Sequence, residues 1–353
     1  MWQCCSQLNW ALSVFLAMVK TMNMKTQNRL KLSRALKKKL ARKQNRKKRA
    51  YIQPRKRALP KVKALFRDDI TTSNRAYINI RDGKDIHEVA ARFLCEDLWS
   101  KFQPHSDQHF LQEFAIDFDA RFWEMDLTVA LIEIGHSVIC PKPGPDVCIE
   151  GDQKVWVEAI APKAGKGPDK VPPMKFGEAQ TVPNDQIILR YTSAIAEKFE
   201  RYKSYVSSGI VSNNEPYVIA INGCQIPSAR LDHNPPRIVR SVFPIGDEYF
   251  TIDRQTGSRK GSGFIFRPSI KKSSGSDIPT DLFLREDFAQ ISAIIFSCSD
   301  CCNRPSKGND WVVVHNPLAV NPICSGLFPC FKEYQATENG EGEYILNNIQ
   351  SNT

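Results

Sequence analysis

Apolar residues recur at helical intervals over residues 120–134, and again from Asn184 or Asp185, either of which can serve as N-cap, to about Val206. Between these two helices the pattern shortens to that of strands, at residues 137–140, 145–150 and 154–160. Residues 216–222 form a continuous apolar run, the pattern of a strand covered on both faces. A further helix is predicted over residues 86–102, and strands at 263–267, 291–297 and 311–315 are expected to extend the same sheet. Residues 165–183, rich in Gly, Pro and Lys, make a long loop, and the chain after about Ala336 is expected to be unstructured. The central order is α-β-β-β-α-β, an α/β (α+β) fold with a central mixed sheet flanked by helices. The predicted organisation is a basic N-terminal extension (1–69), a helical lead-in (70–114), the main domain (115–335) and a tail (336–353).

The second and third strands form a hairpin through Gly151-Asp152-Gln153. A three-residue turn pairs residue 150 with 154, and counting back sets Asp146 directly opposite Glu158. Like charges facing each other are destabilising, so the pair makes most sense around a cation. Hard oxygen ligands favour Mg²⁺ or Mn²⁺. The plainer reading is that one carboxylate simply points to solvent.

Each flanking helix carries a charge inside its apolar face. Ile187, Ile188, Tyr191, Ile195, Phe199, Tyr202 and Val206 form one stripe, and Lys198 projects from its middle. On the first helix Glu124 shares a sector with Leu127, Leu131 and Ile134, whereas Asp126 and Glu133 are expected on the far, solvated side. Such charges find a partner or snorkel outward, and a buried salt bridge is the alternative to a functional role.

Charge divides the chain sharply. Of 49 lysines and arginines, 20 precede Asp68 and no Asp or Glu does, leaving 29 basic against 38 acidic side chains in the remainder. The arm, with Lys37, Lys38 and Lys39 and then Arg46, Lys47, Lys48 and Arg49, suits phosphate binding by counterion release, without reading sequence. A solvated tail, or contact with a ribosome or an anionic membrane, would use the same charges. Residues 26–50 have helix-forming composition without a wide apolar stripe, and residues 52–70 read as a linker. The apolar run at residues 8–19 is too short to span a bilayer and lacks the flanks of a signal peptide, so a cytoplasmic location is expected. A start at Met22 or Met24 would account for it equally well.

Eleven cysteines in so long and lysine-rich a chain do not suggest a disulfide framework. Cys298, Cys301, Cys302, Cys324 and Cys330 cluster, but their spacing is irregular and no histidine completes a zinc set, so ordinary thiols are the better reading. Gly165-Lys166-Gly167 lacks the spacing of a phosphate loop, and His315-Asn316-Pro317 reads as a strand-ending turn.

Taken together, Ala120-Arg121-Phe122-Trp123-Glu124, Gly144-Pro145-Asp146, Val157-Glu158-Ala159 and Lys198 resemble a bacterial branch of the restriction-endonuclease-like PD-(D/E)xK superfamily. The resemblance covers residues 115–225 and extends loosely to about 335. It implies a restriction-endonuclease-like αβββαβ core and metal-dependent phosphodiester hydrolysis of nucleic acid, with DNA the expected substrate. Asp146 and Glu158 would hold the ion, with the Ala159 carbonyl as a further ligand. Lys198 would orient the attacking water or neutralise charge on the phosphate, Glu124 would complete the outer shell or a second metal, and Arg190 would grip a neighbouring phosphate. The signature departs at Ile160, where the family carries its lysine. Lys198 is the natural substitute, and Lys163 a weaker one. If neither serves, the chain is expected to bind nucleic acid without cutting it. Cutting both strands of a duplex would favour a homodimer, and a membrane-associated protein anchored by residues 8–19 is a third, less favoured reading.

Overall fold

Three helices lead into the sheet: α1 (Arg75–Asp82), α2 (Ile86–Phe102) and α3 (Phe110–Ile116). The computed structural model describes residues 64–349 apart from 176, 306–307 and 339–343. The basic arm, the predicted helix within residues 26–50 and the apolar run 8–19 therefore lie outside the described residues. Asp85 and Glu88 form a reciprocal capping box that starts α2 where the apolar pattern begins.

These helices pack on α4 (Phe118–Glu133) through a core of aromatic rings that includes Tyr77, Trp99, Phe102, Phe110, Phe114 and Phe122. They share one compact unit with the sheet, and that unit begins at Lys63, so the expected boundary at 115 falls inside it. The double packing also corrects the reading of α4 as a helix with one solvated side. Leu127 and Leu131 face the sheet, while Phe118, Met125 and Val129 face the lead-in helices. Asp126 is consequently buried, held by the Arg304 guanidinium and by the Ser299 hydroxyl at 2.9 Å, and burial pushes its carboxyl upward in spite of both. Glu133 is half-buried and pairs with Lys101 at 2.9 Å. Gly135, at a φ of 99°, stops the helix and lets the His136 N–H close back on the Leu131 carbonyl at 3.1 Å.

The strands β1 (Ser137–Ile139), β2 (Val147–Glu150), β3 (Val155–Ile160) and β4 (Tyr217–Asn222) follow the expected order, with α5 (Asn184–Ser207) between β3 and β4. β1, β2 and β3 pair antiparallel, and β4 lies parallel to β3. The Trp123 indole N–H donates to the Ala220 carbonyl at 2.9 Å and pins α4 to the middle of the sheet. On the opposite face Ile187, Tyr191, Ile195, Phe199 and Tyr202 of α5 cover β4. Neither Asn184 nor Asp185 caps α5: Pro183 holds the cap position, and the Asn184 amide oxygen instead accepts from the buried Arg237 guanidinium at 3.0 Å.

After the short helix α6 (Arg237–Arg240) come two separate hairpins, β5 (Ile245–Ile252) with β6 (Arg259–Phe266) and β7 (Ser269–Lys271) with β8 (Asp277–Pro279). The segment 263–267 therefore does not extend the main sheet. That sheet grows through β9 (Ala293–Ser297) and β10 (Val312–His315), then β11 (Lys332–Glu338) and β12 (Tyr344–Ile349), to eight strands in the order 1-2-3-4-9-10-11-12. The last two strands replace the unstructured tail expected after Ala336. Their polarity hid them: beside the core residues Tyr334 and Ala336, β11 buries Glu333, which accepts from the Gly326 N–H and pairs at 2.6 Å with His315. Among the described residues no helix is long and apolar enough to cross a membrane.

Candidate active site

The hairpin register matches the count made from its turn, with Val147 opposite Val157 and Cys148 opposite Trp156. Asp146, one residue before β2, is thereby brought opposite Glu158, and its Oδ2 accepts the Ala159 N–H at 2.8 Å. Glu158 is fully buried between the sheet and α5. Its carboxyl is pushed up to about 7, first by burial and then by the charge of Asp146, against the pull of Lys198.

The helix α5 supplies three groups to that one carboxylate. Lys198 Nζ donates to Glu158 Oε1 at 2.8 Å, Arg201 Nη1 lies 3.4 Å from the same oxygen, and the Tyr205 hydroxyl donates to Oε2 at 3.5 Å. Residues 198, 201 and 205 are spaced by three and four, which puts them on one helix face. Sequence reasoning found Lys198 because it interrupts an apolar stripe. It missed Arg201 and Tyr205, although their spacing from Lys198 is a readable signal. Lys198 itself is only 6% exposed, so its ammonium has exchanged water for this carboxylate.

Glu124 reaches the same region from α4. It is 4% exposed, and its carboxyl is raised by burial and then by Asp146, against Lys142 and Arg121. Arg121, one turn earlier on α4, pairs with Glu124 and with Glu113, the latter at 2.8 Å. Lys142 stands between the two acids, 3.5 Å from Glu124 and 3.6 Å from Asp146. Sequence reading passed over Lys142, because its place in a proline-rich loop gives no periodic pattern to read it against.

A cleft of about 610 Å³ opens over Glu124, Lys142, Asp146, Lys198 and Arg201, with Glu158 buried behind its wall. Its wall carries six acidic and six basic side chains, so the cleft has no strong attraction of its own for a polyanion. Ile160, two residues after Glu158, lines it. Lys163 sits at the rim, 3.1 Å from Asp117 and not on the hairpin carboxylates. Arg190 also lines the cleft. Its guanidinium packs on Gly165, where an added Cβ would lie 2.6 Å from Nη1, and among the described residues it pairs with no carboxylate. The seven arm residues Lys37, Lys38, Lys39, Arg46, Lys47, Lys48 and Arg49 lie outside the described residues.

The donor chemistry suits a hard divalent ion. A half-buried and a fully buried carboxylate meet across the hairpin, and the Glu158 carboxyl is raised first by its burial and then by the charge of Asp146. Among the described residues, however, no three His, Cys, Asp or Glu side chains converge as a metal-holding group, so a main-chain carbonyl or water would complete any shell. The same holds for the cysteines: the Cys301 and Cys302 sulfurs are 3.9 Å apart, Cys301 packs against Cys95, and every described cysteine is free. No family model, curated protein or solved structure matches the chain.

Proposed function

We propose that the chain is a metal-dependent nuclease, hydrolysing phosphodiester bonds of DNA on a restriction-endonuclease-like core. The observation that carries the reading is the 2.8 Å contact of Lys198 with Glu158, whose carboxyl is raised first by burial and then by the neighbouring Asp146. It brings a lysine from another element onto the hairpin whose own lysine position is Ile160.

Asp146 and Glu158 would hold Mg²⁺ or Mn²⁺. Once bound, the ion supplies Lewis-acid stabilisation of the charge that grows on the phosphoryl oxygens, and acidity to a water. Lys198 serves as the fixed positive charge that orients that water or meets the phosphate, and Arg201 and Tyr205 keep it aligned. Lys142 and Arg121 hold Glu124 and Asp146 in place. Arg190, packed against Gly165 and without a carboxylate partner among the described residues, is the group placed to take a neighbouring phosphate.

The test is cleavage of plasmid, single-stranded DNA and RNA by the whole chain with Mg²⁺ or Mn²⁺, against the same reactions in EDTA. Cleavage that appears only with metal is expected. Metal-independent cleavage, or none under any condition, sinks the proposal. Binding without cutting would instead identify a non-catalytic nucleic-acid-binding protein, a reading favoured by the ion pairs that already satisfy Glu158.

Because the cleft is charge-balanced, affinity is expected to reside in the arm. Replacing Lys37, Lys38, Lys39, Arg46, Lys47, Lys48 and Arg49 by glutamine should reduce the slope of log K against log salt by up to about 6 for duplex DNA. Fluorescence anisotropy across a salt series measures it, and an unchanged slope would remove the arm from the binding surface.

A further inference from the structure

The hairpin β5–β6 is exposed on both faces. Every residue from Asp247 to Ile252 is exposed, as is every residue of β6 except half-buried Gly263, and the ribbon packs at its root on α6. A lone two-stranded ribbon in water is marginal, and this one carries apolar side chains where polar ones would suit it. Tyr249, Phe250, Ile252, Phe264, Ile265 and Phe266 are between 42% and 74% exposed. By register, Glu248 faces Phe264 and Phe250 faces Ser262, placing Phe250 and Phe264 on one face, while Tyr249 and Ile265 fall on the other.

The charges on the ribbon narrow what could cover it. Residues 245–266 carry three acidic and three basic side chains. Within that set Lys260 pairs with Asp253 at 2.7 Å and Arg259 with Glu248 at 3.6 Å, while Arg259 also stacks on the Phe250 ring at 4.1 Å. A ribbon that reads nucleic acid keeps its cations free, whereas here two of the three basic groups are engaged by its own acids. A neutral apolar ribbon is also compatible with its own twin, where a charged one would repel it.

We infer that β5–β6 is a dimerisation arm whose occupant is a second copy of this chain. Six side chains about half exposed, at ~150–250 Å² each, amount to roughly 600 Å² of apolar surface per copy. Because these side chains lie on both faces of the ribbon, a twofold pairing in which the partner covers both faces buries about 1,200 Å², the threshold of a specific interface. An apolar hollow of about 370 Å³ at the ribbon's root, lined by Phe266, Leu284 and Leu346 among others, offers room for a side chain of the partner. This inference does not depend on catalysis, since its readout is molecular mass.

Sedimentation equilibrium of the whole chain without nucleic acid tests it. A dimer is expected at about 10 µM. Phe264→Glu and, on the other face, Ile265→Lys are each expected to raise the dimer dissociation constant at least ~30-fold, with circular dichroism and melting temperature as in the parent. A parent that stays monomeric overturns the inference without reference to any variant. So does a dimer that both variants retain, and so does a pair of variants that lose affinity for nucleic acid while keeping the parent's mass.

Discussion

Asp146→Asn is expected to abolish metal-dependent cleavage and, at the same time, to stabilise the metal-free protein. The two effects come from the same charge. As the proposed ligand, Asp146 would supply half of the anionic oxygen that holds the ion, so neutralising it should lower the rate by ~10³-fold or more. As a neighbour, it is the main electrostatic burden on the buried Glu158 and Glu124 carboxyls, after burial itself. Asparagine keeps an oxygen to accept the Ala159 N–H and removes the repulsion. Lys142 loses one partner but is partly solvated and retains Glu124. A gain of about 1 kcal/mol is expected, or about 2–4 °C in melting temperature for a domain of this size. Calorimetry in EDTA beside a cleavage assay reads both quantities. A destabilised, inactive variant would instead mean that Asp146 is a structural residue.

Lys198→Met should act in the opposite sense on stability. It strips the closest cation from a fully buried carboxylate, and breaking a buried pair from one side costs ~3–5 kcal/mol. Arg201 and Tyr205 remain near Glu158, which places the expected loss toward the lower end. Adding Glu158→Gln to Lys198→Met should recover most of it, because no buried charge is then left without a partner, and chemical denaturation of the four proteins in a cycle isolates the coupling. The loss should also depend on pH. Glu158 has a folded-state value raised from 4.5 to about 7, so the native state holds its proton longer than the unfolded chain. The stability this contributes is fully present below about 4.5 and is lost as pH rises to about 7, a fall of about 3 kcal/mol in the metal-free parent. Losing Lys198 moves the carboxyl higher still, so the variant should be nearest the parent at low pH. A destabilisation independent of pH would show that the lysine acts through its methylenes and not its charge. Cleavage by Lys198→Met is expected to be lost even where the variant is folded.

What the sequence disclosed depended on how local the determining contact was. A three-residue turn fixes the pairing of a hairpin without help from the rest of the chain, so the meeting of Asp146 and Glu158 was countable. Lys198 was visible because an ammonium breaks an apolar stripe, and Glu124 because it shares a sector with Leu127 and Leu131. The opposite side of α4 was misjudged for a nonlocal reason: what covers Asp126 is Arg304, brought from far along the chain. The terminal strands escaped because Glu333 reads as solvent-facing until His315 is set against it. Lys142 escaped because only the fold brings its loop up to Glu124.

The enclosure of α4 bears on what the candidate site needs in order to fold. The αβββαβ arrangement looks like a portable cassette, yet its first helix turns the rings of Phe118 and Phe122 outward into a wall made by residues before 117. Cut at that point, the cassette would present an aromatic face to water and associate through it. The helix that bears Glu124 therefore depends on its cover, and the lead-in helices are as much a condition of the candidate site as the hairpin.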